Sequence, residues 1–222
     1  MTSSGTSVNI SVKRQSLRDQ AGRALRAQVI AGAMRPDVYY AIGQIAERLQ
    51  ISVTPVREAL LDMAADGLVE MVPNRGFRVR QLTERDLDEI VELRLLLEPP
   101  AVRRVTERRL VDDFGALRSM AASIESAARE GDWVVFLDTD RDMHMKLLGY
   151  LGNGRLTEVV GKLRDQTRLY GLDRVAGTHE FLASTHEHIA LLDAVEAGDA
   201  REAENLTARH LSHARGIWAG DG

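Results

Sequence analysis

Alternation of apolar and polar residues, the mark of a half-buried strand, occurs once in this chain; elsewhere the apolar residues recur at helical spacing. The alternating stretch is LVEMV, then PNRG, then FRVRQL, ending at Leu82. Two short segments around Pro73, Asn74 and Gly76 describe a β-hairpin. The fold class is therefore mainly α, with one small β-element.

The hairpin ends a compact series. Leu17, Ala21, Leu25, Val29 and Ile30 share one helix face, with Gly32 as a stop. A loop with Pro36 leads to a short helix holding Ile42, Ile45, Ala46 and Leu49. Gln50-Ile51-Ser52 then separates it from a helix that Thr54 can cap, with Pro55 in the first helical position. Its buried stripe is Val56, Leu60 and Met63, and Gly67 ends it. Residues 17–82 thus describe an N-terminal winged helix-turn-helix with a hairpin wing. Residues 1–16, Ser/Thr-rich and without periodicity, are expected to form a mobile tail.

Residues 83–218 contain about six helices, expected to pack as an antiparallel bundle, with breaks at Pro99-Pro100, Gly131, Gly152–Gly154, Gly177 and Gly198. The first is capped by Thr83, with Asp86 nearby, and its stripe runs through Leu87, Ile90, Val91, Leu93 and Leu97. The double proline is expected to end or sharply bend it near Glu98, because proline lacks the amide donor and crowds the preceding turn.

The chain has 222 residues, 44% of them hydrophobic, which suits one large domain or two small ones. Cysteine is absent, so disulfides, thiolate metal sites and cysteine nucleophiles are excluded. No stretch approaches the roughly 18 apolar residues of a membrane span, and MTSSGTSVNISVKRQS lacks the apolar core of a secretory signal. A cytoplasmic location is expected. Residues 1–82 carry 11 Lys and Arg against 7 Asp and Glu, whereas the remainder carries 18 against 26. Only the basic front suits a polyanion.

In a winged helix the later helix of the pair enters the major groove, and the hairpin tip reaches the backbone or minor groove. Arg57, one turn into that helix, can pair with guanine or clamp a phosphate. Ser52 and Thr54 at its start suit phosphate oxygens, Arg75 brings charge to the wing tip, and Gly76 permits close backbone approach. Taken singly, each has a plainer role as a solvated charge, a cap or a turn residue. Their order favours DNA contact.

The rear half directs ionisable groups onto buried stripes. Asp140 and His144 are four apart, on the face shared by Trp133, Phe136, Leu137, Leu147 and Leu151. His188 aligns with Phe181, Leu192 and Val195, while His186 points about 160° away. His210 aligns with Ala203, Leu206 and Ile217, and His213 is a reserve ligand near that stripe. Three imidazoles and a carboxylate suit a divalent metal, zinc first, with manganese, nickel or iron as alternatives. The same spacing equally fits a metal-free cluster in which Asp140 pairs with protonated His144.

The run IAERLQISVTPVREALLDMAADGLVEMVPNRGFRV resembles the DNA-binding domain of GntR-type bacterial regulators over about 65 residues. That resemblance implies DNA-contact roles for Ser52, Thr54, Arg57, Arg75 and Gly76 on double-stranded operator DNA. Val53 stands where the family usually has arginine, which implies weaker binding or an altered operator preference. DxxxH at 140–144, EHIALLDAVEAGD at 187–199, and His210 resemble the all-helical FCD effector domain, in its six-helix variant. This implies that Asp140, His144, His188 and His210 bind a divalent metal whose coordination a small organic acid completes. Arg94 with Glu98 resembles the family's R-x-x-x-E element, which implies effector contact; an ion pair at i, i+4 is the plainer role. Arg141 and Asn153 are weaker pocket candidates. The implied protein is a homodimeric, ligand-responsive regulator, commonly a repressor, and not an enzyme. The competing function is a metal-dependent hydrolase or lyase with an accessory DNA-binding domain, or a purely architectural DNA binder. No GxSxG, Walker or Rossmann pattern supports an enzyme.

Overall fold

The computed structural model describes residues 16–30, 33–167 and 179–219. The expected tail lies outside these residues except for Ser16, whose hydroxyl accepts from the Asp19 amide at 3.1 Å and caps the first helix. The stops expected at Gly32 and Gly177 also lie outside them. Helix α1 (Leu17–Ile30) buries Ala21, Leu25 and Val29. Leu17, expected on that face, is 51% exposed, because the buried face begins one turn later.

Helices α2 (Ile42–Leu49) and α3 (Val53–Ala65) flank a turn in which Gln50 takes the left-handed conformation. Helix α3 starts earlier than expected. Its N-cap is Ser52, without a side-chain bond, which places Thr54 and Pro55 inside the first turn. Proline is tolerated there because the first amides of a helix have no intrahelical acceptor.

The wing is β2 (Val69–Val72) paired antiparallel with β3 (Gly76–Val79). A third strand, β1 (Tyr39–Tyr40), adds to β3, with Tyr39 opposite Arg78 and Tyr40 opposite Phe77, giving the order β1-β3-β2. Two residues are too short for alternation to show, so the sequence reads there only as loop. Leu25, Val56, Leu60, Met63 and Phe77 fill the core between these elements.

Helix α4 (Glu84–Glu107) opens on a reciprocal capping box between Thr83 and Asp86. It does not end at Glu98 but continues through Pro99 and Pro100. Those prolines remove the helical donors to the Leu95 and Leu96 carbonyls. Leu96 is 65% exposed, so water can serve its carbonyl, and burial of Ala101, Val102 and Val105 holds the following turns in place. Leu93, expected on the stripe, is 47% exposed.

Then follow α5 (Phe114–Glu130), α6 (Trp133–Gly149), α7 (Gly154–Thr167), α8 (His179–Thr185), α9 (Glu187–Ala197) and α10 (Ala200–Ala219). The breaks at Gly131 and Gly198 occur as expected. About six helices were expected from residue 83 onward; the described residues hold seven, because His186 interrupts the penultimate one. Phe181 and His188 therefore sit on α8 and α9 rather than on one helix, and both remain buried.

Val105, Leu117, Ile124, Leu147 and Leu192 form the centre of this helical core, and the rings of Trp133, Phe136 and Phe181 pack together beside it. A smaller cluster of Leu82, Leu87, Ile90 and Leu163 binds the exit of the wing to α4 and α7. Among the described residues no helix is long and apolar enough to cross a membrane.

Candidate metal centre and nucleic-acid interface

Helix periodicity sends Asp140 and His144 of α6, His188 of α9 and His210 of α10 into one interior. Their ligand atoms lie within 4.8 Å of one another. The three imidazoles pack ring to ring, with centroids 4.7 to 5.2 Å apart. His188 Nε2 is 3.0 Å from Asp140 Oδ1 and 3.2 Å from His144 Nε2. His144 and His188 are each 2% exposed, and the Asp140 side chain 22%.

The surrounding groups fix which nitrogen faces the centre. His188 Nδ1 lies 3.0 Å from the Thr185 carbonyl, which can only accept, so Nδ1 carries the proton. Nε2 faces the Asp140 carboxylate, so either a proton or a shared cation stands between them. His210 Nδ1 donates to Glu187 Oε2 at 2.8 Å, which bares its Nε2. A histidine held through its far nitrogen by a carbonyl or carboxylate is the usual outer arrangement of a metal ligand. Several lone pairs facing one point call for a shared cation. The residues fit a divalent metal.

The electrostatics agree. Burial, assisted by the Arg164 guanidinium, pushes His144 down to about 3, although Asp140 pulls the other way. Burial also lowers His210. Desolvation opposes the charge on Asp140, but its contacts with His144 and His188 hold it well below the usual carboxylate range.

Beneath these four side chains runs a buried chain of charges that the sequence pattern signalled only in part. Arg164 of α7 reaches Asp140 Oδ2 at 3.3 Å and Glu98 Oε2 at 3.1 Å. Arg94 donates to Glu98 Oε1 at 2.7 Å. Arg94, Glu98 and Arg164 are at most 4% exposed. Desolvation alone would raise the Glu98 carboxyl, but Arg164 and Arg94 hold it down to about 2. Arg164 falls on one stripe with Val160, Leu163 and Thr167, so the spacing test that found the histidines would have found it as well. Glu187 gave no such signal, because its partner His210 comes from another helix.

Other candidates stand apart from the centre. His186 points outward to Glu125, as expected. His213, the reserve ligand, is half-exposed and bonds Glu187 instead. Arg141 pairs with Asp165 at 2.7 Å, and Asn153 accepts from the Leu156 amide at the start of α7. Arg94, proposed for effector contact, forms the buried i, i+4 pair with Glu98.

On the front domain Ser52, Val53, Thr54 and Arg57 are exposed along the outer face of α3. Arg57 has no ion-pair partner among the described residues. Arg75 sits at the turn between β2 and β3, its guanidinium 5.3 Å from the centre of the Tyr39 ring. Gly76 has φ +109°, and a Cβ there would lie 2.1 Å from the Tyr40 carbonyl oxygen. The close approach that demands glycine is thus made by β1 within this protein.

Two family models match the chain: bacterial regulatory proteins of the gntR family over residues 17–79, and the FCD domain over residues 89–213. The HTH-type transcriptional regulator McbR of Escherichia coli K12 is 28% identical over 190 residues, 85% of this chain and 86% of that protein. A probable D-xylose utilization operon transcriptional repressor of Paenarthrobacter nicotinovorans is 31% identical over 169 residues, 76% of this chain and 74% of that protein. The solved structure of E. coli McbR/YncC superimposes with a TM-score of 0.79 at 25% identity, covering 94% of this chain and 99% of that one.

Proposed function

This chain belongs to the gntR family of bacterial regulatory proteins and carries an FCD domain, and from that premise we propose that a small organic acid, bound at a metal held by Asp140, His144, His188 and His210, sets its affinity for operator DNA. It is a DNA-binding transcription regulator, as its relatives are, which sets aside the hydrolase or lyase alternative. The carrying observation is the convergence of four donor atoms within 4.8 Å, two of the imidazoles being turned inward by Thr185 and Glu187. Zinc suits three imidazoles and one carboxylate best. When bound, the metal offers a Lewis-acid point to one carboxylate oxygen of the effector.

The chain's own residues carry the response. Arg164 holds the second oxygen of Asp140, so any change in how Asp140 is engaged alters the demand on Arg164 and then on Glu98 of α4. Arg94 anchors the far end of that chain, and its direct contact with an effector requires it to exchange Glu98 for the ligand carboxylate. We assign residues 17–82 to DNA binding and 83–218 to effector sensing. Ser52, Thr54, Arg57, Arg75 and Gly76 meet DNA, with Val53 altering operator preference. Two copies, working in the cytoplasm, place two α3 helices on successive half-sites. The likeness to a repressor favours repression relieved by ligand. An acid acts as a switch only if it binds one conformation better than the other.

Elemental analysis of the purified protein tests this reading, followed by thermal melting with added divalent ions and organic acids. We expect stoichiometric metal, a melting temperature raised by the bound acid, and loss of both in His188→Ala with basal operator binding retained. A metal-free protein whose melting no divalent ion raises overturns it.

A further inference from the structure

The two residues of β1 face opposite ways, as neighbours on a strand do. Tyr40 turns inward, its ring 5.6 Å from that of Phe77, and its hydroxyl accepts from the Arg35 amide at 2.8 Å. Tyr39 turns outward and is 46% exposed. Over its ring stands the Arg75 guanidinium, which reaches back from the turn between β2 and β3 to 5.3 Å from the ring centre. An aromatic face attracts a cation within roughly 6 Å.

Two arginines lie on this side of the sheet, and their surroundings differ. Arg78, opposite Tyr39 in the ladder, is held by Glu70 at 2.7 Å and has Asp37 at 3.6 Å. Arg75 is exposed and has no carboxylate partner among the described residues. Its charge is therefore available to a polyanion. An arginine at a hairpin tip ordinarily samples many rotamers and loses that freedom when it binds. Attraction to a ring face engages the charge and occupies no acceptor, so the guanidinium N–H groups stay available to phosphate oxygens while the side chain is held. The ring itself is held firmly, because the Tyr40 carbonyl packs close beside Gly76 and fixes β1 against β3.

We infer that Tyr39 is a positioning residue for DNA binding, its ring holding the Arg75 guanidinium ready for the backbone or minor groove. The inference rests on the assignment of Arg75 to DNA contact above. Arg57 and Arg75 supply all the positive charge among the five residues assigned to that contact, so the order of either one weighs on the whole.

A labelled duplex, selected by the wild-type chain from a random-sequence pool and titrated by fluorescence anisotropy, tests it. Tyr39→Ala is expected to weaken binding by about two- to fivefold for each wing engaged, the fold-change that a cation–π contact at an exposed site carries. Arg75→Ala is expected to weaken it further. Tyr39→Phe keeps the ring face and is expected to match the wild type. Tyr39→Leu keeps apolar bulk without a ring and is expected to match Tyr39→Ala. In the Arg75→Ala background, Tyr39→Ala is expected to cost nothing more. If Tyr39→Ala melts well below the wild type, Tyr39→Leu replaces it in the cycle. Three results overturn the role of the ring and leave the Arg75 assignment standing: full binding by Tyr39→Leu, a loss in Tyr39→Phe equal to that in Tyr39→Ala, or additive losses in the double variant. An Arg75→Ala protein that binds as the wild type does overturns both.

Discussion

At the scale of single residues, Glu98 is tightly constrained. It is 1% exposed and is the shared acceptor of two buried guanidinium groups. Glu98→Gln leaves Arg94 and Arg164 with one carboxylate too few, a loss of about 3–5 kcal/mol in urea denaturation of the metal-free protein. Acid acts on the same centre. His144 keeps its proton off down to about 3 in the fold, against an ordinary value of 6.5. Between those values the unfolded chain binds more protons than the native one, so stability falls as pH falls through that window, by about 1.4 kcal/mol per unit. Glu98, at about 2 against 4.5, adds the same sign lower down. Denaturation of the metal-free protein from pH 7 to 4 checks this, and His144→Phe is expected to flatten the slope. Arg57→Ala is expected to weaken operator binding by about 1–3 kcal/mol if the guanidinium meets a base, measured by fluorescence anisotropy. The residues legible beforehand were those on a helical stripe of their own element; Glu187 and Thr185, whose roles are set by distant neighbours, were not.

At the scale of elements, helices were legible because each buries a stripe wide enough to repeat several times. Tyr39–Tyr40 escaped notice because a two-residue strand has no period, although it shapes the wing. Its carbonyl occupies the space beside Gly76. Gly76→Ala is expected to push β1 away from β3 and to cost roughly 2 kcal/mol or more by thermal denaturation, with operator affinity falling as the Arg75 tip is displaced. The Pro99-Pro100 pair misled for the opposite reason. A local breaker signal was real, but the buried apolar residues on both sides of it outweighed two missing hydrogen bonds. The split between α8 and α9 at His186 has no breaker residue and left no trace in the sequence.

At the scale of the whole molecule, pattern and charge divide the sequence into a basic front and a helical rear. One contact that joins them was not legible, because it depends on which helix ends meet. The end of α3 rests on α7. The Gln166 side chain lies against Gly67, with Nε2 3.1 Å from where a Cβ would stand, and Asp66 lies near Asp165 and Lys162. Gln166→Ala removes that contact without touching the Asp140, His144, His188 and His210 cluster. It is expected to leave metal content and acid binding intact while reducing, by several-fold, the change in operator affinity that the acid produces. Titrating operator DNA with and without the acid checks it; an undiminished response assigns the coupling to another route.

Helix α7 is placed to work, on the proposed function, in the manner of a crankshaft. Arg164 and Asp165 hold the neighbouring Asp140 and Arg141 of α6, Arg164 also holds Glu98 of α4, and Gln166 lies against Gly67. At a radius of about 5–6 Å, a turn of roughly 20° about its own axis carries each side chain about 2 Å sideways. On the proposed function, a small torque applied at Asp140 would reach the foot of α3.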